Sequence, residues 1–199
     1  MFELIESIGV VAFAINGFLV AIKRDLDLLG VFISMFLTAL GGGLARDVIL
    51  GLAPYSFTHT LPPLLVLIVL LIMILFKLHT KIDLDNNRLI ILSDSLGLVA
   101  FSINGALLAI NSGYNLAGVL SLAFITGVGG GIARDVIINQ IPQILTTGFY
   151  GSVTLIVGLI LYLFNQFATI NFYIILITLI FGFILRVIAY KNSWHIPKI

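Results

Sequence analysis

The sequence predicts an all-α integral membrane protein with seven transmembrane helices, arranged as an inverted three-plus-three helix repeat with one extra C-terminal helix. Three observations support this fold class: an apolar composition with few charges, seven apolar segments of membrane-spanning length, and an internal repeat at an offset of 88 residues. Because spans and short connections use nearly every residue, residues 1–199 are expected to form a single membrane domain.

The composition is that of a membrane protein. The chain is 60% hydrophobic and 10% charged, with a mean hydropathy of +1.21. A soluble domain carries about 25% charged residues. The net charge of +1 gives no reason to expect a nucleic-acid partner, and the absence of cysteine excludes disulfides and thiolate sites. The three histidines lie in separate predicted loops, so no metal, cofactor or enzymatic activity is expected.

Seven segments have the roughly 20 apolar residues that a helix needs to cross a bilayer. Lysine and arginine concentrate in the loops after spans one and three and in the C-terminal tail, which predicts an external N-terminus and a cytoplasmic C-terminus in the cell (inner) membrane. Arg186, near the end of span seven, is expected to extend its side chain to that interface. The segments are about 3–22, 28–50, 62–78, 89–110, 115–138, 146–166 and 170–189.

The internal repeat is recognised from polar and glycine positions that coincide without a gap. Asn16-Gly17 aligns with Asn104-Gly105, and Pro54 aligns with Pro142. Repeat one covers about residues 3–80, repeat two about 90–168, and the additional helix about 170–189. Since each copy contains an odd number of spans, the second copy enters the membrane from the opposite face. Inverted repeats place functional sites near the midplane, where broken helices of the two halves meet.

A run of three glycines followed by an Arg-Asp pair occurs once in each repeat, in spans two and five. Consecutive glycines weaken a helix by about 1 kcal/mol each, so both helices are expected to break there, beside protein or a hydrated cavity. Charged residues at membrane depth indicate a functional site. Adjacent residues point about 100° apart on a helix, so each charge is expected to find its partner elsewhere. The residues are Gly41, Gly42, Gly43, Arg46 and Asp47, and Gly129, Gly130, Gly131, Arg134 and Asp135.

The aligned polar residues of spans one, two, four and five are candidates to line a pore. Asn16 and Asn104 could equally form helix–helix hydrogen bonds, and the hydroxyl residues suit helix packing better than pore lining. Glu6 and Asp94 could form a cation vestibule, but solvated carboxylates at helix ends are the simpler expectation. Close packing around the glycines, without a pathway, is the alternative for the whole unit. The hydroxyl residues are Ser7, Ser95, Thr38 and Thr126.

The two copies of Gly-Gly-Gly-x-x-Arg-Asp-Val, Gly41–Val48 and Gly129–Val136, together with three-plus-three-plus-one spans, resemble the prokaryotic trimeric intracellular cation (TRIC) channel family. Animal members carry Lys-Glu-Val in place of Arg-Asp-Val, so their lipid-dependent regulation is not expected here. The resemblance implies a homotrimer in the membrane lipid, with an hourglass pore in each protomer. It also implies passage of potassium and sodium along spans one, two, four and five, which are kinked at the glycines.

The main hypothesis is therefore a monovalent cation channel. Asp47 and Asp135 would supply negative potential, Arg46 and Arg134 would fix the helices or form the constriction, and the glycines would provide the kink. The second hypothesis is a secondary transporter of a small zwitterion such as glycine, because bacterial relatives of this family are labelled as glycine transporters. The third is a tightly packed, non-conducting membrane protein.

Overall fold

A computed structural model describes residues 2–77, 88–146 and 148–194, and these residues form helices and connecting turns. Seven helices are long and two are single short turns. They are α1 (Phe2–Ile22), α2 (Leu28–Ile49), α3 (Tyr55–Thr58), α4 (Leu61–Leu75), α5 (Arg88–Asn111), α6 (Leu116–Ile137), α7 (Gln143–Thr146), α8 (Tyr150–Phe167) and α9 (Phe172–Lys191).

Equivalent residues of the two repeats begin and end the second helix of each. The Asp27 carboxylate accepts a hydrogen bond from the Gly30 amide at the start of α2, and Asn115 does the same for Gly118 at the start of α6. Such caps satisfy amides that lack a partner within the helix. After the last turn, Gly51 and Asn139 both adopt positive φ, at 67° and 56°. Glycine and asparagine are the residues that tolerate this conformation best.

Among the described residues, six helices are long and apolar enough to cross a membrane: α1, α2, α5, α6, α8 and α9. The third predicted span is shorter than expected. α4 begins at Leu61, just before Pro62 and Pro63, and ends at Leu75 after 15 residues, a length of about 22 Å at 1.5 Å per residue. The hydrocarbon core is about 30 Å thick. Seven full-length spans are therefore not observed, although the polar loop that was predicted to follow lies mostly outside the described residues.

The first helices of the two repeats pack against each other in opposite directions. Near one end Asn104 of α5 contacts Glu6 of α1, and near the other end Asn16 contacts the carbonyl of Ile90. The contacts between them are reciprocal: the Phe13 ring lies against Gly97, and the Phe101 ring lies against Gly9. This reciprocity is the geometry of a two-fold axis that exchanges antiparallel copies of one unit.

The second helices, α2 and α6, cross at their glycines in the same reciprocal way. A side chain at Gly42 would overlap the Thr126 carbonyl, and one at Gly130 would overlap the Thr38 carbonyl. α1, α2, α5 and α6 thus form the centre of the molecule. The remaining long helices are peripheral: α4 packs on α1 and α2, α8 packs on α5 and α6, and α9 packs on α5 and α8.

The predicted break in the second helices is wrong. Helical structure continues from Leu28 to Ile49 and from Leu116 to Ile137, through all three glycines of each copy. The missing side chains let the two backbones touch, as small residues do in other transmembrane helix pairs. The packing gained at this crossing offsets the low helix propensity of glycine, so the helices need not break.

Candidate functional site

Three buried polar side chains lie around Arg46 near the N-terminal end of α1. The Arg46 guanidinium contacts the Glu6 carboxylate at 3.3 Å (Nη1 to Oε2) and the Asp47 carboxylate at 2.8 Å (Nε to Oδ1). Asn104, from the other repeat, donates to the same Glu6 oxygen at 2.7 Å. Arg46 and Asn104 are fully buried, and the two acids nearly so. We call Glu6, Arg46, Asp47 and Asn104 the Arg46 cluster.

The equivalent residues meet at the opposite end of α1. Arg134 donates from Nε to Asp135 at 2.8 Å and from Nη1 to Asn16, which belongs to the other repeat. Asn16 in turn donates to the Ile90 carbonyl at 2.8 Å. Asp94 is also buried, and the Tyr150 hydroxyl that donates to it faces Gly131, as Arg134 Nη2 does. We call Asp94, Arg134, Asp135 and Asn16 the Arg134 cluster. Each cluster therefore takes its arginine and acids from one repeat and its asparagine from the other.

The neighbouring Arg and Asp residues bind each other, contrary to the expectation that each would find its partner elsewhere. The flexible arginine side chain turns back along the last turn of its helix and reaches the next residue. Each aspartate uses its second oxygen to hold the chain that follows: Asp47 accepts from the Tyr55 amide at 2.7 Å, and Asp135 accepts from the Gln143 amide at 2.9 Å. The aspartates thus join the arginines to the first residues of α3 and α7.

The three glycines of each copy have two different surroundings. Gly41 and Gly42 meet Gly129 and Gly130 at the crossing of α2 and α6. The third glycine faces a cluster instead. A side chain at Gly43 would begin 3.6 Å from Glu6 Oε1 and 3.7 Å from Arg46 Nη2, whereas one at Gly131 would begin 4.0 Å from Arg134 Nη2. The first two glycines of each copy therefore permit helix contact, and the third leaves space beside an arginine.

The hydroxyl residues do not reach either cluster. Thr38 and Thr126 each donate to a carbonyl of their own helix at 2.6 Å, four residues earlier, and Ser95 does the same at 2.6 Å. Ser7 is half-buried on α1. These bonds satisfy hydroxyls inside the helix bundle, and the threonine carbonyls form part of the helix crossing.

The sequence of this chain is similar to those of one family of membrane proteins. A family model described as "Glycine transporter" matches residues 3–79 and 91–166. The UPF0126 membrane protein YvgT of Bacillus subtilis is 36% identical over 98% of this chain and 95% of its own length. The UPF0126 inner membrane protein YadS of Escherichia coli K12 is 33% identical over 78% of this chain and 75% of its own length.

Solved structures give the same result. The crystal structure of a prokaryotic TRIC channel in 0.5 M KCl superposes with a TM-score of 0.89 at 30% identity, over 98% of both chains. A second structure, which is described as the structural basis for conductance through TRIC cation channels, superposes with a TM-score of 0.87 at 31% identity. The match covers 100% of this chain and 97% of the other. The chain belongs to the prokaryotic TRIC channel family. It is a multi-pass membrane protein, and its relatives are described as membrane proteins.

The two clusters of this TRIC-family chain differ in what covers them. Asp94 accepts a hydrogen bond from the Tyr150 hydroxyl at 2.9 Å, and the Arg186 guanidinium lies 4.7 Å from the centre of the Tyr150 ring. Asp94 and Arg186 line a cavity of about 260 Å³ that also contacts Lys23 and Arg24. The Arg134 cluster therefore adjoins open space on its side of the membrane.

Aromatic rings cover the Arg46 cluster. The Phe2 ring lies 5.4 Å from the Arg46 guanidinium and makes an edge contact with Tyr55 at 5.6 Å between ring centres. Burial, together with the carboxylates of Glu3 and Glu6, raises the pKa of the Tyr55 phenol, so this ring stays neutral at physiological pH. This chain is thus symmetric at its centre and asymmetric at its two ends.

Two expectations about the site acids and Arg186 are wrong. Glu6 and Asp94 are not solvated carboxylates at helix ends; they are 5% and 4% exposed and belong to the clusters. Arg186 does not extend into solvent, because it is 3% exposed and its guanidinium lies beside the Tyr150 ring. The alignment of Glu6 with Asp94 at the repeat offset was the available signal for the acids. Tyr150 carried no such signal, since its counterpart in repeat one is Pro62.

Proposed function

We propose that this protein is a cation channel whose path runs within one protomer, between α1, α2, α5 and α6. The observation that carries the proposal is the charge of the two clusters. Each contains one arginine and two carboxylates, a formal charge of −1 when all are ionised. Arg186, which lies beside Tyr150 and outside the cluster, offsets this charge at the Asp94 end. Acidic side chains along a path favour cations and exclude anions. The arginines, which alone would repel cations, are neutralised by the acids beside them.

The positions of the clusters support the same path. They lie near opposite ends of the same central helices and are related by the pseudo-two-fold axis. Within them, Arg46 binds Glu6 and Asp47, and Arg134 binds Asp135. Asp47 and Asp135 supply charge and anchor the following turns, and Gly43 and Gly131 leave space. Monovalent ions, potassium and sodium, are proposed from the family resemblance. The TRIC cation channel structures that share this fold agree with a channel.

The arrangement in the membrane is part of the proposal. The lysine and arginine bias places the N-terminus outside and the C-terminus in the cytoplasm, with the two repeats and the additional helix in one membrane domain. TRIC-family membership favours a homotrimer. A C-terminal reporter that is active only in the cytoplasm tests the orientation, and the mass of the detergent-solubilised complex tests the trimer. An external reporter or a monomeric mass would contradict these two points.

A transporter of a small zwitterion is the second candidate, and one observation favours it. Within the described part of the chain, a donor (Arg46 Nη2) and an acceptor (Asn104 Oδ1) are buried in the Arg46 cluster without hydrogen-bond partners. A carboxylate could accept from the arginine while an ammonium donates to the amide oxygen, as in bound glycine. The name of the matched family model points to the same class of substrate.

Recording from the purified protein in a planar bilayer separates the candidates. Under a tenfold KCl gradient, a potassium channel gives unitary currents that reverse near 59 mV in magnitude, about the value for one charge, with the sign expected for a cation. Reversal with the opposite sign would indicate an anion path and contradict the proposal. Absence of current together with saturable glycine uptake into liposomes would support the transporter instead.

A packed, non-conducting protein is tested by the two asparagines. Asn16→Leu and Asn104→Leu remove the amides that bridge the repeats, and we expect both to reduce the cation current. Asn111→Leu, at the exposed end of α5, is the matched control and should behave as the wild type. Equal currents in all three variants would show that the clusters do not line the path.

A further inference from the structure

Two phenylalanine rings lie between the clusters, at the pseudo-two-fold axis. Phe13 of α1 and Phe101 of α5 occupy equivalent positions in the repeats, and their rings stack with centres 5.3 Å apart and planes 11° apart. Both side chains are 1% exposed. Each ring rests against a glycine of the opposite helix, Phe13 against Gly97 and Phe101 against Gly9. The pair therefore fills the centre of the α1–α5 contact.

The same rings separate the polar groups of the two repeats. On α1, Phe13 lies between Glu6 of one cluster and Asn16 of the other, ten residues apart. That separation is about 15 Å at 1.5 Å per residue. Phe101 lies between Asp94 and Asn104 in the same way. A side chain at Gly43 would begin 3.8 Å from Phe101 Cε1, which places this ring directly beside the Arg46 cluster.

The surroundings of the rings are apolar. Phe13 and Phe101 belong to a buried core cluster with Val10, Leu40 and Leu98. The hydroxyls at this depth donate to carbonyls of their own helices, as Ser102 does to Leu98 at 2.6 Å. An ion between the clusters would therefore lose its water without gaining protein ligands from these side chains. Apolar constrictions of this kind block ions by excluding water.

We infer that the Phe13–Phe101 pair is the hydrophobic constriction of the path and that the rings must separate before ions pass between the clusters. This inference rests on the proposed function, since a constriction matters only where ions or water move. The reciprocal glycine contacts suit this role, because a glycine places no side chain of its own against the ring.

Bilayer recording of single variants tests the inference. Phe13→Ala and Phe101→Ala should each raise open probability or unitary conductance several-fold, because truncation removes the apolar barrier. Phe18→Ala is the control: Phe18 is on the same helix and equally buried, but does not lie between the clusters. If an alanine variant does not fold, Phe13→Tyr and Phe101→Tyr keep the ring, add a hydroxyl that holds water, and should change the current in the same direction. Wild-type currents in the folded variants would overturn the inference.

Thiol labelling provides a readout that does not depend on conduction. The chain has no cysteine, so Gly43→Cys introduces a single thiol beside Phe101. A small cationic methanethiosulfonate applied from the Asp94 side should label it slowly, and labelling should rise several-fold when Phe13→Ala and Phe101→Ala are combined with it. An unchanged rate would overturn the constriction. A higher labelling rate in a protein that carries no cation current would support the barrier but contradict the proposed channel function.

Discussion

Gly42 of α2 lies against the carbonyl group of Thr126 of α6, so closely that a methyl group at Gly42 would overlap the carbonyl oxygen. The obstacle is backbone, which cannot rotate away as a side chain can. The contact recurs between Gly130 and Thr38. These two contacts fix how near the two helices approach and, through the helices, where Arg46 and Arg134 are held.

Gly42→Ala and Gly43→Ala should therefore change stability in opposite directions. Alanine at position 42 must push the helices apart, and overpacking of this kind costs about 1–3 kcal/mol. Alanine at position 43 meets its nearest neighbour at 3.6 Å, an ordinary contact, and gains up to about 1 kcal/mol from helix propensity. Thermal unfolding in detergent compares the two. A Gly43→Ala protein that is destabilised as strongly as Gly42→Ala would contradict this account of the crossing.

Glu6→Gln should lower cation selectivity. The substitution changes the formal charge of the Arg46 cluster from −1 to 0 while it keeps the size of the side chain. Under a KCl gradient the reversal potential should move toward zero. Glu3→Gln is the matched control, because Glu3 is an exposed acid on the same helix. If the two variants shift the reversal potential equally, the effect belongs to surface charge and not to the cluster.

Several features of the fold could be predicted from the sequence because they depend on local chemistry. Apolar length and the repeat offset located the helices, and the duplicated Arg-Asp pair located the two charged sites. The errors arose where tertiary contacts decide. Glycine propensity predicted a break in α2, but the contact of Gly42 with Thr126 stabilises a continuous helix. The 100° between adjacent helix positions predicted that Arg46 and Asp47 would not pair. They do pair, because the arginine side chain is flexible enough to turn back to the next residue.

The burial of Glu6 and Asp94 could not be predicted from the sequence of a single helix. Glu6 is near the start of α1, where a carboxylate is normally solvated. It is buried because Asn104, almost a hundred residues later, and Arg46 close around it. Only the superposition of one repeat on the other could have paired Glu6 with Asp94. The contact of Tyr150 with Asp94 has no counterpart in repeat one, so the repeat could not predict it.

Asp135→Asn should both destabilise the protein and reduce its cation current. The two Asp135 oxygens accept from separate donors, Arg134 and the Gln143 amide. An asparagine has a single oxygen, so its NH₂ group must face one of these donors. Loss of one partner from a buried ion pair lowers the free energy of unfolding by about 3–5 kcal/mol. The substitution also removes the formal negative charge of the Arg134 cluster. Asp27→Asn is the control, since the exposed Asp27 carboxylate caps α2 by accepting from the Gly30 amide and asparagine caps a helix equally well. Wild-type stability and current in Asp135→Asn would show that this carboxylate serves neither purpose.

Tyr150→Phe tests the asymmetry between the two ends. The Tyr150 hydroxyl donates to the buried Asp94 carboxylate at 2.9 Å, and hydrogen bonds to charged groups contribute about 1.5–3 kcal/mol. Removing the hydroxyl leaves the ring in place beneath Arg186, so the loss in unfolding free energy should report this bond. Tyr162→Phe, at a half-buried tyrosine of the same helix, should change stability by no more than about 0.5 kcal/mol, as surface substitutions usually do. Because Pro62 occupies the equivalent position in repeat one, Glu6 receives no matching bond there. A Tyr150→Phe protein as stable as Tyr162→Phe would mean that Asp94 is held by the neighbouring arginines alone, and the asymmetry would then lie only in the cavity beside it.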